Sequence, residues 1–365
     1  MNAFVLPLAA WILSAALGHG EMFVSSFSSG RVLRYHETTG AFIDVFIPNP
    51  AGTLNLPHGL AFGPDGNLYV ASAGNDRVLR FNGTTGAPID TFVTAGSGGL
   101  DYPVALLFRP DGCLYVTSQL SDTVLRYNAT TGAFVDVFVT ASAALDGPSD
   151  MVFGPDANLY VTGRFNDRVV RYHGQTGAFI DVFATTNLSQ PFGLRFGADG
   201  YLYVVSGNTG TVQRFNGATG AFVDTIVPAG SGSLSLPIGA LFGTDGQLYV
   251  ASFNNNKIAR YDPATGASLG DFVTAGSGGI SAPNFMLFRP PATPFVPALN
   301  IATSGNDVTL AWSTQAVGWS LQTTPTLALS PAWNLSVHPV TKSGGAFQMT
   351  LPRATDRQFF RLILP

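Results

Sequence analysis

The sequence predicts an all-β fold built from a repeated four-stranded unit, and two observations carry that prediction. A phrase that is clearest as Asn-Leu-Tyr-Val-Ala-Ser returns about every 45 residues. Its aromatic position is occupied in turn by Phe23, Tyr69, Tyr115, Tyr160, Tyr203 and Tyr249. Each copy also divides into four short runs rich in Val, Phe, Tyr and Ile, with turn residues between them and no helical periodicity. Four strands per repeat at this period indicate a β-propeller.

The second copy shows how its strands are delimited. The four predicted strands are Gly59–Phe62, Asn67–Ser72, Arg77–Phe81 and Ile89–Val93. Pro64-Asp65-Gly66 separates the first two, because proline presets φ and glycine supplies the positive φ of a tight turn. The segment Asn82–Gly86 does the same between the third and fourth strands.

The ends of the repeat region predict how the ring closes. The first copy, Met22–Ile47, lacks a first strand, and the last, Pro283–Pro290, has only a first strand, Asn284–Phe288. The two fragments make one complete unit, and five full units begin at Pro57, Pro103, Pro148, Pro191 and Pro237. Residues 21–290 are therefore predicted to form six blades, closed by pairing both ends of the region in one sheet, which removes exposed sheet edges.

Composition excludes several classes of function. Charged residues make up 11% of the chain, the net charge is −4, and the only lysines are Lys257 and Lys342. Because binding phosphates needs a positive patch, we expect no nucleic-acid partner. Cys113 is the only cysteine, so an intramolecular disulfide and a thiolate metal cluster are excluded.

Two segments lie outside the repeats. Residues 1–20 contain the apolar run Ala3–Leu17 followed by small residues, which predicts a signal peptide; the alternatives are a retained anchor and a mis-assigned start codon. We therefore expect a secreted or cell-envelope protein with no membrane span beyond this segment. Residues 291–297 are proline-rich and predict a semi-rigid linker.

Residues 298–365 predict a second, smaller domain. Six strand-like runs occur there, at Leu299–Thr303, Asp307–Trp312, Trp319–Thr323, Asn334–His338, Phe347–Leu351 and Gln358–Leu364. Alternating apolar positions predict a small β-sandwich of the immunoglobulin or fibronectin kind. Trp312, Trp319, Trp333 and the pair Phe359-Phe360 are expected to form its core; the alternative is that these aromatic rings are exposed and stack on sugars.

The repeat region resembles the NHL repeat in six copies over about residues 22–290. The likeness is clearest in Leu56–Phe62, Asp65–Val70 and Asn75–Val78. It implies a six-bladed propeller from a family that includes binding modules and enzymes. The chain's end resembles small β-sandwich modules of exported bacterial proteins. NHL repeats usually carry an aspartate after Tyr-Val-Ala, and the chain has instead Ser26, Ser72, Ser118, Gly163, Ser206 and Ser252.

The residues that enzymes of related propellers use are incomplete here. Peptide-amidating lyases of this fold hold zinc with three histidines, but only His58 begins an innermost strand. Its counterparts are Val104, Ser149, Phe192, Ile238 and Asn284. Gluconolactonase-type and streptogramin-lyase-like propellers need acidic metal ligands, and neither Glu21 nor Glu37 falls on an inner strand. We expect no metal and no cofactor.

One face of the propeller differs from copy to copy. It carries the turns between the second and third strands, and we call it the variable face; the turns contain Phe27, Gly74-Asn75, Gln119-Leu120, Arg164-Phe165, Gly207-Asn208 and Phe253-Asn254. Phe27, Leu120, Phe165 and Phe253 are expected to form a broken apolar ring around the channel mouth, which favours partner recognition. The alternative is that each packs locally on a neighbouring linker.

Two inner-strand residues depart from the apolar pattern. Asp150 stands where other copies have Gly59, Ala105, Gly193, Gly239 and Phe285, and Arg195 where others have Ala61, Leu107, Val152, Leu241 and Leu287. Because unpaired buried charges are costly, the two side chains are predicted to meet near the channel. A structural ion pair and a ligand-binding role are both open.

These observations together predict an exported, monomeric, non-enzymatic scaffold that binds a protein, peptide or glycan. The candidate binding residues are Phe27, His58, Leu120, Asp150, Arg164, Phe165, Arg195, Phe253, Asn254 and Asn284. The alternative is a lyase, lactonase or other hydrolase acting in the channel through His58, Asp150, Arg164 and Asn284. The sequence names no substrate.

Overall fold

The computed structural model describes residues 20–49 and 52–289, then 299–304, 307–313, 320–324, 334–335, 340–343, 346–352 and 359–363. Contacts between Cα atoms divide the chain into two units, Met1–Pro290 and Pro291–Pro365. Apart from Gly20, the predicted signal segment lies outside the described residues, as does the predicted linker. Within those ranges the elements are strands and four single-turn 3-10 helices, and none of the helices has the length and apolar character to cross a membrane.

The described part of the first unit contains twenty-four strands of five or six residues. In chain order they are β1 (Glu21–Ser26), β2 (Arg31–His36), β3 (Phe42–Ile47), β4 (Pro57–Phe62), β5 (Leu68–Ser72), β6 (Arg77–Phe81), β7 (Pro88–Val93), β8 (Pro103–Phe108), β9 (Cys113–Ser118), β10 (Thr123–Asn128), β11 (Phe134–Val139), β12 (Pro148–Phe153), β13 (Leu159–Gly163), β14 (Arg168–Tyr172), β15 (Phe179–Ala184), β16 (Pro191–Phe196), β17 (Tyr201–Ser206), β18 (Thr211–Asn216), β19 (Phe222–Val227), β20 (Pro237–Phe242), β21 (Leu248–Ser252), β22 (Lys257–Tyr261), β23 (Ser268–Val273) and β24 (Pro283–Phe288).

These strands form six antiparallel sheets of four strands, which we call blades. Blade 1 has the order β24-β1-β2-β3, and blades 2 to 6 follow in chain order as β4–β7, β8–β11, β12–β15, β16–β19 and β20–β23. The first strand of each blade contacts the first strand of the next, and β24 contacts β4. The predicted β-propeller is therefore confirmed, with six such sheets among the described residues.

Blade 1 joins the two ends of the repeat region, as predicted. β1 pairs antiparallel with β24, so that Met22 lies opposite Phe288, Phe23 opposite Leu287, and Val24 opposite Met286. The Ser25 hydroxyl also donates to the carbonyl of Phe285 at 3.1 Å and accepts its N–H at 2.9 Å. Among the described residues, β24 is the strand that pairs with the inner edge of β1, so both ends of the repeat region are needed to complete the sheet.

Aromatic contacts join each blade to the next. Tyr69 of blade 2 meets Phe92 of its own outer strand at 4.8 Å between ring centroids and Phe108 of blade 3 at 4.7 Å, both edge to face. Phe23 makes the equivalent contacts with Phe46 and Phe62. Edge-to-face pairs add about 0.5–1.5 kcal/mol beyond the burial of their surface.

The serines that replace the expected aspartates have a structural role. The Ser72 hydroxyl accepts the N–H of Asn55 at 2.9 Å and donates to the carbonyl of the same residue at 3.2 Å. The same two bonds tie Ser118 to Asp101 and Ser206 to Ser189. Each hydroxyl thus fixes the linker that leads into its own blade, and satisfies the N–H and the carbonyl of one linker residue.

The described parts of the second unit contain two sheets. One has the order β25-β26-β30-β29 and the other β28-β27-β31, where the strands are β25 (Asn300–Ser304), β26 (Asp307–Ser313), β27 (Ser320–Thr324), β28 (Asn334–Leu335), β29 (Thr341–Ser343), β30 (Ala346–Pro352) and β31 (Phe359–Ile363). All six predicted runs overlap a strand; β29 was missed. Trp312 is buried in a cluster with Leu310, Leu321, Met349 and Leu351, whereas Trp319 and Trp333 lie outside the described residues.

Closure of blade 1 predicts how the chain responds to truncation. A chain that ends at Ala282 lacks β24 and leaves one edge of β1 unpaired, so we expect it to lose the cooperative unfolding transition of the first unit. A chain that ends at Pro290 keeps β24 and is the matched control. Urea unfolding followed by circular dichroism compares the two. An unchanged midpoint in the shorter chain would contradict the closure argument.

Candidate functional site

The six innermost strands enclose a channel, and its end at the variable face is filled. The second residue of every inner strand is buried: His58, Val104, Ser149, Phe192, Ile238 and Asn284. Backbone bonds confirm which face this is, because Gln119 and Phe253 of the variable turns donate to Tyr102 and Leu236 of the blade linkers. The channel mouth predicted there is therefore a plug of side chains and not an opening.

His58 is the polar centre of this plug. Asn284 Nδ2 lies 2.7 Å from His58 Nδ1 and donates to it, which leaves the ring N–H on Nε2, 3.4 Å from the Tyr102 hydroxyl. Burial lowers the pKa of His58 to about 3, and the nearby positive charge of Arg164 acts in the same direction. His58 is thus a neutral, fully engaged imidazole at ordinary pH. Asn284 Oδ1 is buried without a hydrogen-bond partner among the described residues.

Arg164 lies over the plug, and no carboxylate of the described residues pairs with its guanidinium. Its guanidinium carbon is 4.4 Å from the ring centroid of Phe192 and 5.3 Å from that of Phe165. The Nε atom is buried and makes no hydrogen bond within the described part of the chain. Burial lowers the pKa of Arg164 below its ordinary value. Among the described residues, this partly buried charge makes two cation–π contacts, with Phe165 and with Phe192.

The predicted apolar ring is divided into two parts. Phe27 packs against Phe253 at 5.6 Å and against His58 at 5.2 Å between ring centroids, so this pair caps the plug. Leu120 and Phe165 are 57% and 49% exposed. Asn254 is exposed, and its side-chain amide donates to the Ser235 hydroxyl at 3.3 Å.

Asp150 and Arg195 meet, as predicted. Arg195 Nη1 is 2.6 Å from Asp150 Oδ2, which also accepts the N–H of Leu194 at 3.2 Å, and Oδ1 accepts the N–H of Met151 at 2.9 Å. Burial raises the pKa of Asp150, whereas Arg195 and the two backbone N–H groups act in the opposite direction. No described contact joins this pair to His58 or Arg164. The enzymatic set of His58, Asp150, Arg164 and Asn284 is thus divided between two places.

The sequence reasoning missed Tyr102. The residue before each inner-strand proline has a left-handed backbone, with φ of 55° at Tyr102. In the other copies this position holds Leu56, Gly147, Gln190, Leu236 and Ala282. Only the tyrosine brings a hydroxyl to His58, and comparison of the copies at this position would have identified it. Gln119 was named in a variable turn but not among the candidate binding residues; its side-chain amide donates to the Ser149 hydroxyl at 3.1 Å.

A bound metal ion would need several ligand side chains close together among the described residues. No group of three or more His, Cys, Asp or Glu side chains there could hold a metal ion. The repeated aspartates of the Pro-Asp-Gly turns are engaged instead: Asp65 accepts the Tyr69 hydroxyl at 3.0 Å and pairs with Arg80 at 3.4 Å.

Comparison with known proteins gives the fold and no family. No protein-family model matches the chain, and no curated protein matches it. Among solved structures, the chain is similar to one in a nidogen/laminin complex, with a TM-score of 0.60 and 18% identity, over 74% of this chain and 99% of that one. It is also similar to virginiamycin B lyase from Staphylococcus aureus, with a TM-score of 0.52 and 16% identity, over 80% of this chain and 88% of that one. A protein of unknown function from Bacteroides caccae matches with a TM-score of 0.58 and 13% identity, over 74% of this chain and 98% of that one.

The lowered pKa of His58 predicts an acid-sensitive term in stability. Well above pH 6.5 the His58 ring is neutral in both the folded and the unfolded state. Below pH 6.5 the ring binds a proton in the unfolded state but stays neutral in the folded state. The free energy of unfolding therefore falls as the pH drops from 6.5 towards 3, by about 1.4 kcal/mol per unit. His58→Val places the residue of Val104 in this position and should remove that slope.

His173→Asn is the matched control, since His173 is exposed and Asn82 occupies the same turn position in blade 2. Urea unfolding at pH 7, 5.5 and 4 measures the three slopes. Equal slopes for wild type and His58→Val would show that His58 titrates normally.

Proposed function

We propose that the propeller is a non-enzymatic binding scaffold whose variable face takes up an acidic, partly apolar peptide segment of a partner protein. The single observation that carries this proposal is the guanidinium of Arg164, which pairs with no carboxylate of the described residues and stacks on the buried ring of Phe192 and the exposed ring of Phe165. Of the twelve other arginines between residues 20 and 289, eight pair with a carboxylate: Arg34, Arg80, Arg126, Arg171, Arg195, Arg214, Arg260 and Arg289. Arg31, Arg77, Arg109 and Arg168 have no such partner among the described residues, but Arg164 differs from them in lying on the variable face beside the exposed Phe165.

An unpaired, half-buried cation is unfavourable in the free protein, and a ligand carboxylate would compensate it. Loss of hydration around Arg164 is already reflected in its lowered pKa. A carboxylate that reached Arg164 would form charge-assisted hydrogen bonds without paying again for most of that desolvation. Leu120 and Phe165, both exposed on the same face, would contact apolar side chains next to the acidic group.

The neighbouring structures agree with a binding role without deciding it. One is a propeller in a nidogen/laminin complex, and another is a lyase. The lyase alternative is less well supported here, because both ring nitrogens of His58 are engaged and its pKa is lowered to about 3.

The remaining sequence predictions complete the proposal. We propose that residues 1–20 are a signal peptide, that the chain is exported as a monomer, and that the repeats belong to the NHL type. Residues 298–365 would form a separate β-sandwich that attaches or spaces the propeller. Intact-mass measurement of the exported chain tests the first point, and a retained Met1 would contradict it.

Arrays of peptides and glycans test the proposed binding. We expect the full-length protein to retain peptides in which Asp or Glu adjoins an apolar residue. Arg164→Gln should weaken that binding about tenfold or more, because a hydrogen bond to a charged group is lost. Phe165→Ala should weaken it less. Arg109→Gln is the control, since the guanidinium of Arg109 stacks on Phe153 at the opposite face.

The possible outcomes separate the alternatives. Equal binding by wild type and Arg164→Gln would overturn the proposed site. If the protein retained acidic glycans and no peptides, the proposed site would stand but its partner would be a glycan. Turnover of an arrayed compound that disappears in His58→Val would favour the enzyme.

A further inference from the structure

The end of the channel opposite the variable face is open. Along the inner strands the second residues are buried, whereas the fifth and sixth are mostly half-buried, for example Leu107 and Phe108 of β8 and Leu241 and Phe242 of β20. Leu107, Phe108 and Leu241 help to line a cavity of about 300 Å³, which we call the turn-face cavity because the Pro-Asp-Gly turns follow its rim. Its inner end stops at the plug around His58.

The walls of the turn-face cavity are apolar apart from one ion pair. Ala61, Leu107, Val152 and Leu241 line it at the fifth position of their strands, and Arg195 holds that position in blade 5. Asp150 lines it from the third position of blade 4. An apolar cavity with one group of polar atoms is the usual form of a small-molecule site.

Folding alone does not require the ion pair. At the third position Gly59 and Gly239 are fitted to a close neighbour, since a Cβ on either would lie 2.4 Å from a carbonyl oxygen of the next inner strand. Blade 4 has a carboxylate there, bonded to the N–H of Leu194 and to Arg195. Replacing such a pair by apolar residues is often neutral or stabilising, so its presence indicates a further use.

Arg195 keeps donors available to a ligand. Only its Nη1 is committed, to Asp150 and to the carbonyl of Leu194, each at 2.6 Å. Its Nε and Nη2 make no hydrogen bond with the described residues and are not among their buried unpaired atoms. Because Asp150 already balances the charge, a second carboxylate would face a like charge in an apolar cavity. A neutral acceptor meets no such repulsion.

We propose that the turn-face cavity binds a small, largely apolar molecule with a neutral hydrogen-bond acceptor, such as a ketone or amide carbonyl, which Arg195 contacts. A cavity of about 300 Å³ lies at the lower end of the roughly 300–1,000 Å³ typical of small-molecule sites, so a small ligand is expected. The plug separates this site from Arg164, so the proposal is independent of peptide binding at the variable face.

Three matched probes test the proposal by ligand-observed NMR on the full-length protein: acetophenone, ethylbenzene and benzoate. They share an aromatic ring and differ in the carbonyl and the charge. We expect wild type to bind acetophenone most tightly. The double variant Asp150→Gly/Arg195→Leu installs the residues of blade 6, Gly239 and Leu241, and should weaken acetophenone about tenfold while leaving ethylbenzene unchanged.

Two further variants check the location. Ala61→Phe reduces the volume of the cavity and should weaken both neutral probes, whereas Arg109→Leu alters an arginine outside it and should change nothing. Thermal unfolding shows whether each variant is folded. Equal acetophenone affinity in wild type and the double variant, preference for benzoate, or no binding up to the solubility limit would each overturn the proposal.

Discussion

The first unit depends on a circle of buried aromatic contacts between successive blades. Tyr160 of blade 4 lies edge to face against Phe183 of its own outer strand and Phe196 of blade 5, at 4.8 and 5.0 Å between centroids. Its hydroxyl reaches Asp156 in the turn at 3.0 Å. A single residue thus fixes the outer strand, the next blade and the turn. Because the circle must close, a gap at one blade would expose the aromatic surface of two.

Since these contacts lie within and between the sheets, residues facing the channel are less constrained. The position after the inner-strand proline holds imidazole, amide, hydroxyl and apolar side chains in six otherwise similar blades. Their common property is burial, and together they fill one level of the channel. Three positions further on, the side chains line a cavity instead of filling the channel. Whether the channel is filled or open therefore depends on which side chains occupy each position along the inner strands.

Sequence reasoning succeeded where one repeat contains the whole cause. The turn at Pro64-Asp65-Gly66 needs only local geometry, and glycine has a φ of 74° there. The approach of Asp150 to Arg195 followed from two positions on neighbouring strands. It failed for the plug, because closure depends on the summed volume of six side chains from six blades. It missed β29, Thr341–Ser343, because three polar residues show no periodicity.

The plug also decides whether the two ends of the channel can influence each other. His58 is bonded to Asn284 of blade 1 and lies beside Tyr102, while Gln119 is bonded to Ser149 of blade 4. Moving any of these groups would leave a buried polar atom unpaired, at a cost of about 1–3 kcal/mol. A ligand bound at Arg164 could therefore affect the turn-face cavity only if these hydrogen bonds of the plug were broken. Energetic coupling between the two proposed sites would then require rearranged hydrogen bonds at His58, and without such rearrangement the two sites would bind their ligands independently.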